Sequence, residues 1–143
     1  MIKSKIINTF VPLLLLPFFI LACGESDNIE PKDENIDSVT EFLTNDNGLR
    51  ITLLTDDEDN ETYLFDSYLF VFNSDETVSA TDANETIQGS YSVFRDDGRI
   101  ELRMNFFNNP GFTELNDDWY FISINQKIIR FDDSGDMLEF QQQ

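Results

Sequence analysis

The sequence contains no histidine, and its 143 residues include a single cysteine, Cys23. The first absence removes Ser-His and Cys-His nucleophile pairs and the usual zinc sites. The second excludes an intrachain disulfide, so stability has to come from the core. Positive charge is also scarce. Nine Lys and Arg stand against 28 Asp and Glu, a formal net charge of −19. So acidic a surface repels nucleic acid and anionic headgroups. No apolar run reaches the roughly 20 residues that a transmembrane helix needs. The best candidate, Ile6 to Ala22, has 17 residues and is interrupted by Pro12 and Pro17. Carboxylate pairs can serve glycoside hydrolysis. Among 28 acids, however, pairs such as Asp117-Asp118 arise by chance, and most lie in turns. The sequence therefore predicts a non-enzymatic protein with no catalytic residue, no cofactor and no assigned metal ligand.

What is present begins with Lys3 and Lys5, followed by the apolar stretch PLLLLPFFILA from Pro12 to Ala22. A basic start, an apolar middle and a small final residue mark a secretory signal peptide over residues 1–22. Ile20-Leu21-Ala22-Cys23 places an aliphatic residue three before the cysteine and a small one directly before it. This resembles a bacterial lipoprotein signal. The resemblance implies cleavage before Cys23, diacylglycerol on its sulfur and a further acyl chain such as palmitate on the new amino group. Two or three acyl chains hold stably where one holds only marginally. The implied partner is thus a membrane, reached through Cys23, and the implied location is the outer membrane, on its periplasmic or cell-surface side. A free thiol is the alternative reading. Removing residues 1–22 leaves 121 residues, enough for one domain, with all 28 acids and seven basic side chains.

Residues 23–47 read as a lipidated cysteine, an acidic tether and a short helix. Gly24 to Asn35 is polar, charged and broken by Pro31, a composition that predicts disorder. Ser26-Asp27-Asn28 resembles the short acidic export signal of Bacteroidetes lipoproteins, which implies the cell surface. Ile36, Val39, Phe42 and Leu43 fall at helical spacing, which predicts a turn or two of helix packed on the domain. Asp37-Ser38-Val39 resembles the Bacteroidetes O-glycosylation acceptor triplet and makes Ser38 a candidate for modification.

From residue 48 to 143 short apolar-aromatic runs alternate with Asp, Asn and Gly turns. Strands are expected at Leu49–Thr55, Tyr63–Asn73, Thr77–Thr81, Thr86–Arg95, Arg99–Phe107, Trp119–Asn125, Lys127–Asp132 and Met137–Gln142. Gly98 supplies the positive φ of the Asp96-Asp97-Gly98 turn. Ile100, Leu102, Met104 and Phe106 are expected inward, with Glu101, Arg103 and Asn105 outward. In the next strand Trp119 and Phe121 fall on one face and Tyr120, Ile122 and Ile124 on the other. The fold class is all-β: an up-and-down antiparallel meander of about eight strands curled into a small barrel. A two-sheet sandwich is the alternative.

Phe65-Asp66-Ser67-Tyr68, the run Phe70 to Val78, Gly89-Ser90-Tyr91-Ser92-Val93 and Leu115-Asn116-Asp117-Asp118-Trp119 together resemble the small lipocalin-like lipoproteins of flavobacteria and their relatives. Ser67 and Glu76 stand where that pattern has glycine, and Tyr91 where it has Trp. The resemblance implies a lipocalin-like barrel and an envelope location. It carries over no binding or catalytic residue, because most members have no assigned function.

Tyr68, Phe70, Phe72, Tyr91, Phe106, Trp119 and Phe121 are the candidates to line a cavity. An eight-stranded barrel is just wide enough to be filled by side chains or to hold one small ligand. Asp56, Glu58 and Asn60 alternate as an EF-hand loop begins, but Glu61 replaces its glycine and Ser67 its final glutamate. An irregular calcium site in an acidic loop stays open. Two functions compete. One is a binding module for a small apolar ligand or a glycan. The other is a structural or interaction lipoprotein with a solid core, whose protein partner the sequence does not identify.

Overall fold

A strand that alternates apolar and polar side chains buries only one face, so a run of such strands curls until those faces meet. The computed structural model describes residues 35–45 and 47–143. The signal segment, Cys23 and residues 24–34 lie outside them. Among the described residues there are nine strands, in order β1 (Leu49–Asp56), β2 (Asp59–Asn60), β3 (Leu69–Phe72), β4 (Thr77–Thr81), β5 (Thr86–Asp96), β6 (Arg99–Asn105), β7 (Asp118–Asn125), β8 (Ile128–Asp133) and β9 (Asp136–Gln142). Each pairs antiparallel with its neighbour. β9 returns to β1 from Leu49↔Gln142 to Leu54↔Leu138. The result is a closed eight-stranded meander barrel, with β2 as an extra strand hairpinned onto the end of β1. The barrel, not the sandwich, is the architecture.

The β5–β6 hairpin follows its sequence pattern. Asp97 and Gly98 form a two-residue turn with φ of 44° and 84°, and the register runs from Ser90↔Asn105 to Asp96↔Arg99. Ile100, Leu102, Met104 and Phe106 are buried. Glu101 departs from the expectation. It lies on the outer face, yet it is only 5% exposed. Its cross-strand neighbours are Phe94 and Tyr120; the Arg99 guanidinium sits over the Tyr120 ring at 3.6 Å and that of Arg103 over the Phe94 ring at 4.7 Å. Burial first, then the charges of Asp96 and Asp118, push its carboxyl above the usual range, while the two arginines oppose that shift.

The expected strand Tyr63–Asn73 is shorter in the structure. Thr62–Leu64 forms a turn of 3-10 helix, and only Leu69–Phe72 joins the sheet. Backbone bonds from Phe65 N to Thr62 O and from Tyr68 N to Phe65 O hold this excursion, which drops Phe65 into the core. β1 and β3 therefore share one registered pair, Leu49↔Phe70. The Arg50 guanidinium reinforces that thin seam by donating to the carbonyls of Asp66 and Tyr68. In β7 a bulge lies between Phe121 and Ser123. Ile122 is left exposed and Ile124 turns back to the core, on the same side as Trp119 and not opposite it as strict alternation predicts.

The helix α1 (Ile36–Leu43) precedes β1. The Asn35 side chain caps it by accepting from Ser38 N at 2.8 Å. Val39 and Leu43 are fully buried and Phe42 nearly so, all three in the barrel's own core. Inside the barrel, aromatic rings meet one another across strands. Phe140 contacts Phe70 and Phe72 at 5.5 and 5.6 Å, Phe72 contacts Tyr91 at 5.0 Å, and Phe70 contacts Phe106 at 6.2 Å. Gly89 leaves room for this packing, since a Cβ there would meet Asn105 O at 2.7 Å and Phe106 Cδ1 at 2.8 Å.

Candidate functional site

Successive strands of a closed meander run up and down in turn. The ends of β1, β6 and β8 therefore share one rim with the segments that follow them. Here the chain between β6 and β7, which the expected strands leave as a connection over residues 108–118, folds as a 3-10 helix over Pro110–Leu115. The Asn109 side chain caps it by accepting from Gly111 N at 3.0 Å. Thr113 Oγ1 donates to Pro110 O at 2.9 Å, and Asn116 Oδ1 accepts from Phe106 N at 2.6 Å. Phe112 anchors the helix from below, with its ring 4.8 Å from Phe106 and 5.2 Å from both Phe65 and Tyr68. Apolar burial and local polar bonds thus hold this loop in one shape.

Two clefts flank the helix. The first, a shallow and largely open depression of about 480 Å³, is lined by Asn105, Phe106, Phe107, Asn108, Asn109, Pro110, Thr113 and Asn116. It contains four side-chain amides and no charged group, on a chain with 28 acids. Phe107 is 68% exposed beside it. The second, about 260 Å³, is lined by Thr55, Asp56, Thr113, Glu114, Asn116, Asp117, Trp119, Asp133 and Asp136. Five of these nine residues are acidic and none is basic.

The electrostatics of the second cleft follow from that crowding. Two of its acids, Asp56 and Glu114, also meet Glu61, which does not line the cleft, with one carboxylate oxygen of each within 4.8 Å of the others. Burial, then the charges of Asp56 and Glu61, push the Glu114 carboxyl above its usual range. Asp133 is raised too, by burial first and then by the charge of Asp117. Trp119 is only 3% exposed, and its indole N–H has no hydrogen-bond partner among the described residues. An unmet buried donor costs roughly 1–3 kcal/mol.

All seven candidate cavity-lining aromatics lie in or against the core. Phe70, Phe72, Tyr91, Phe106 and Trp119 belong to it, and Tyr68 and Phe121 pack on its edge. They are largely one another's neighbours. The Tyr91 hydroxyl donates to Asn73 O at 2.8 Å. The Tyr68 hydroxyl donates to Glu85 at 2.7 Å, and that bond, more than burial, pushes its pKa up to about 12. Ser38 is 6% exposed, with its hydroxyl donating to Asn35 Oδ1 at 3.1 Å, so the folded chain does not present it to solvent. The proposed lipidation site, Cys23, lies outside the described residues. Among the described residues no helix is long and apolar enough to cross a membrane.

Sequence reasoning missed both clefts. It placed Asp56 and Glu61 in an acidic loop but had no signal for Glu114, which only barrel closure brings to them. The Asn-rich stretch Asn108 to Asn116, between the expected strands, is the available sequence signal for the first cleft. Comparison with family models, curated proteins and solved structures gave no match to this chain.

Proposed function

We propose that the chain is a lipid-anchored lipoprotein of the cell envelope. Residues 1–22 direct export and acyl chains on Cys23 hold it to the outer membrane. The barrel is a non-enzymatic binding module that takes a neutral glycan at the Phe107 groove. The groove itself carries the binding half of this reading. Its amides offer donors and acceptors to hydroxyl groups, its lack of charge suits a neutral ligand, and the exposed ring of Phe107 gives sugar C–H groups an apolar face. A small apolar ligand inside the barrel is less well supported, because the interior rings already fill one another's contacts. Anchoring is supported by Ile20-Leu21-Ala22-Cys23.

Saturation-transfer NMR on the mature chain with a panel of neutral oligosaccharides tests the binding half. Transfer to at least one sugar is expected, weakened about tenfold or more by Phe107→Ala. Absence of transfer across the panel, or transfer unchanged in that variant, counts against the groove. Cys23→Ser tests the anchor by releasing the protein into the soluble fraction; membrane retention with an uncut signal opposes it.

A second reading, an interaction lipoprotein with a solid core, is favoured by Tyr63 at 67% and Leu64 at 41% exposure on the turn beside Phe65. Native mass spectrometry of protein taken from its own envelope separates the two. Added mass of a sugar supports the first reading, and a co-purifying polypeptide supports the second.

A further inference from the structure

On a chain at −19 most of the surface repels a second copy of itself. Residues 51–94 carry ten Asp and Glu and no Lys or Arg. The outer face of β5, β6 and β7 differs. Arg99, Glu101 and Arg103 alternate in sign along β6. The register sets Phe94 and Tyr120 on either side of Glu101, and Asp118 directly beside Arg103. Both arginines lie over these rings, Arg99 on Tyr120 and Arg103 on Phe94. Further along β7 the bulge leaves Ile122 exposed. Arg103 donates to Asp118 through two hydrogen bonds of 2.5 and 2.6 Å, yet the two side chains stay 55% and 35% exposed. That pairing uses two of the five N–H donors of Arg103 and about half of the roughly four lone-pair sites of a carboxylate. Each partner can therefore take a second. Arg130–Glu139, on β8 and β9, lacks that capacity, because the Glu139 oxygens already accept from Arg130 and from Thr52.

We infer that this face is an interface between two copies of the chain, related by a two-fold axis that runs along the strands between β6 and β7. Arg103 and Asp118 stand opposite each other across that line. A half-turn about it sets Arg103 of one copy over Asp118 of the other, and Asp118 over Arg103. The two ion pairs become a ring of four alternating charges. The same half-turn sets Glu101 against Tyr120, its own cross-strand neighbour. The face is thus complementary to itself, as a two-fold contact requires. Arginine and aromatic side chains are the types enriched in protein contacts. Three strands offer a small area, so the association belongs to the weak, transient class. None of these residues lines the first cleft, and the inference stands whether or not that cleft takes a sugar.

Sedimentation velocity at constant salt tests this on the mature chain carrying Cys23→Ser, which excludes lipid and disulfide links. That protein should shift from monomer toward dimer between micromolar and millimolar concentration. Arg103→Asp and Asp118→Arg, each added alone, set like charges across the axis and should weaken association about tenfold or more. Mixed in equal amounts, the two variants should associate again, because one copy then presents two acids and the other two bases. The double variant Arg103→Asp/Asp118→Arg keeps the pair within the chain and should associate as the parent does. Circular dichroism checks that each variant is folded; if a single variant is not, the double variant decides. The inference is overturned if the parent stays monomeric throughout, which leaves the face to a different partner. It is also overturned if folded single variants keep the parent's affinity, if their mixture fails to recover it, or if the folded double variant does not associate.

Discussion

Replacing Glu76 with glycine should stabilise the protein. Glu76 closes the turn between β3 and β4 with φ of 65°, a left-handed conformation that costs an L residue roughly 1–2 kcal/mol. The turn uses its backbone: Glu76 N donates to Asn73 O at 3.1 Å and Glu76 O accepts from Tyr91 N at 2.9 Å. Glycine keeps both bonds and removes the strain. Against that gain stands the greater freedom of glycine in the unfolded chain, about 0.4–1 kcal/mol. The net is about 0.5–1 kcal/mol, or roughly 2–8 °C in Tm for a domain near 100 residues. Removing one charge from a chain at −19 also contributes. Glu76→Gln isolates that part, because it loses the charge and keeps the strained φ. Thermal unfolding followed by circular dichroism on both variants measures the difference. If Glu76→Gly melts no higher than Glu76→Gln, the strain argument is wrong.

Three further outcomes follow from the packing and the charges. Gly89→Ala should destabilise by roughly 1–3 kcal/mol in urea unfolding, because the added methyl meets the Asn105 carbonyl and the Phe106 ring; an unchanged midpoint would mean that β5 and β6 lie further apart. Phe112→Ala should cost about 3–5 kcal/mol and release the 3-10 helix it anchors, visible as faster amide exchange at Gly111 to Leu115. Stability should also depend on pH in two opposite stages. Glu101, Glu114 and Asp133 have raised pKa values, so the folded chain takes up their protons while the unfolded chain is still ionised. Folding then binds protons, and Tm rises as pH falls from neutral toward the ordinary carboxylate value of about 4. Asp75 and Asp82 behave oppositely, since hydrogen bonds from Thr77 and from the Asn84 and Glu85 backbone lower their pKa. Their contribution is present above the ordinary value and is lost as pH falls through the lowered one. A Tm that only declines from neutral pH downward would contradict the raised values.

Much of the barrel is legible in the sequence because strand periodicity is a local property. Ile100 to Phe106 alternate cleanly and bury the expected side chains. The failures share one physical cause. Tyr63 to Tyr68 has the composition of a strand, but the chain turns there because Phe65 gains more by entering the core than by extending a sheet. The bulge at Ile122 is set by pairing with β8, which no window of β7 reveals. Glu101 sits at an outward position, and only the rings of two neighbouring strands bury it. The acidic cleft is the extreme case. Asp56 and Glu61 stand out in the sequence as part of a charged run, while Glu114 comes near them only when the sheet closes.

The pairing of β1 with β9 also dictates the order in which the domain is completed. Within the barrel the first strand, β1, has its long partner in β9, the last to leave the ribosome, from Leu49↔Gln142 to Leu54↔Leu138. Until Gln142 is available, β1 is held by its short hairpin with β2 and by one residue pair with β3. Contacts so distant in sequence form slowly, because the ends of a long loop must meet before they are rewarded. A chain that stops short of β9 keeps β1 and β8 as open edges, ready to pair with another copy. Completion of the last strand is therefore the step that separates a monomeric barrel from an aggregating sheet.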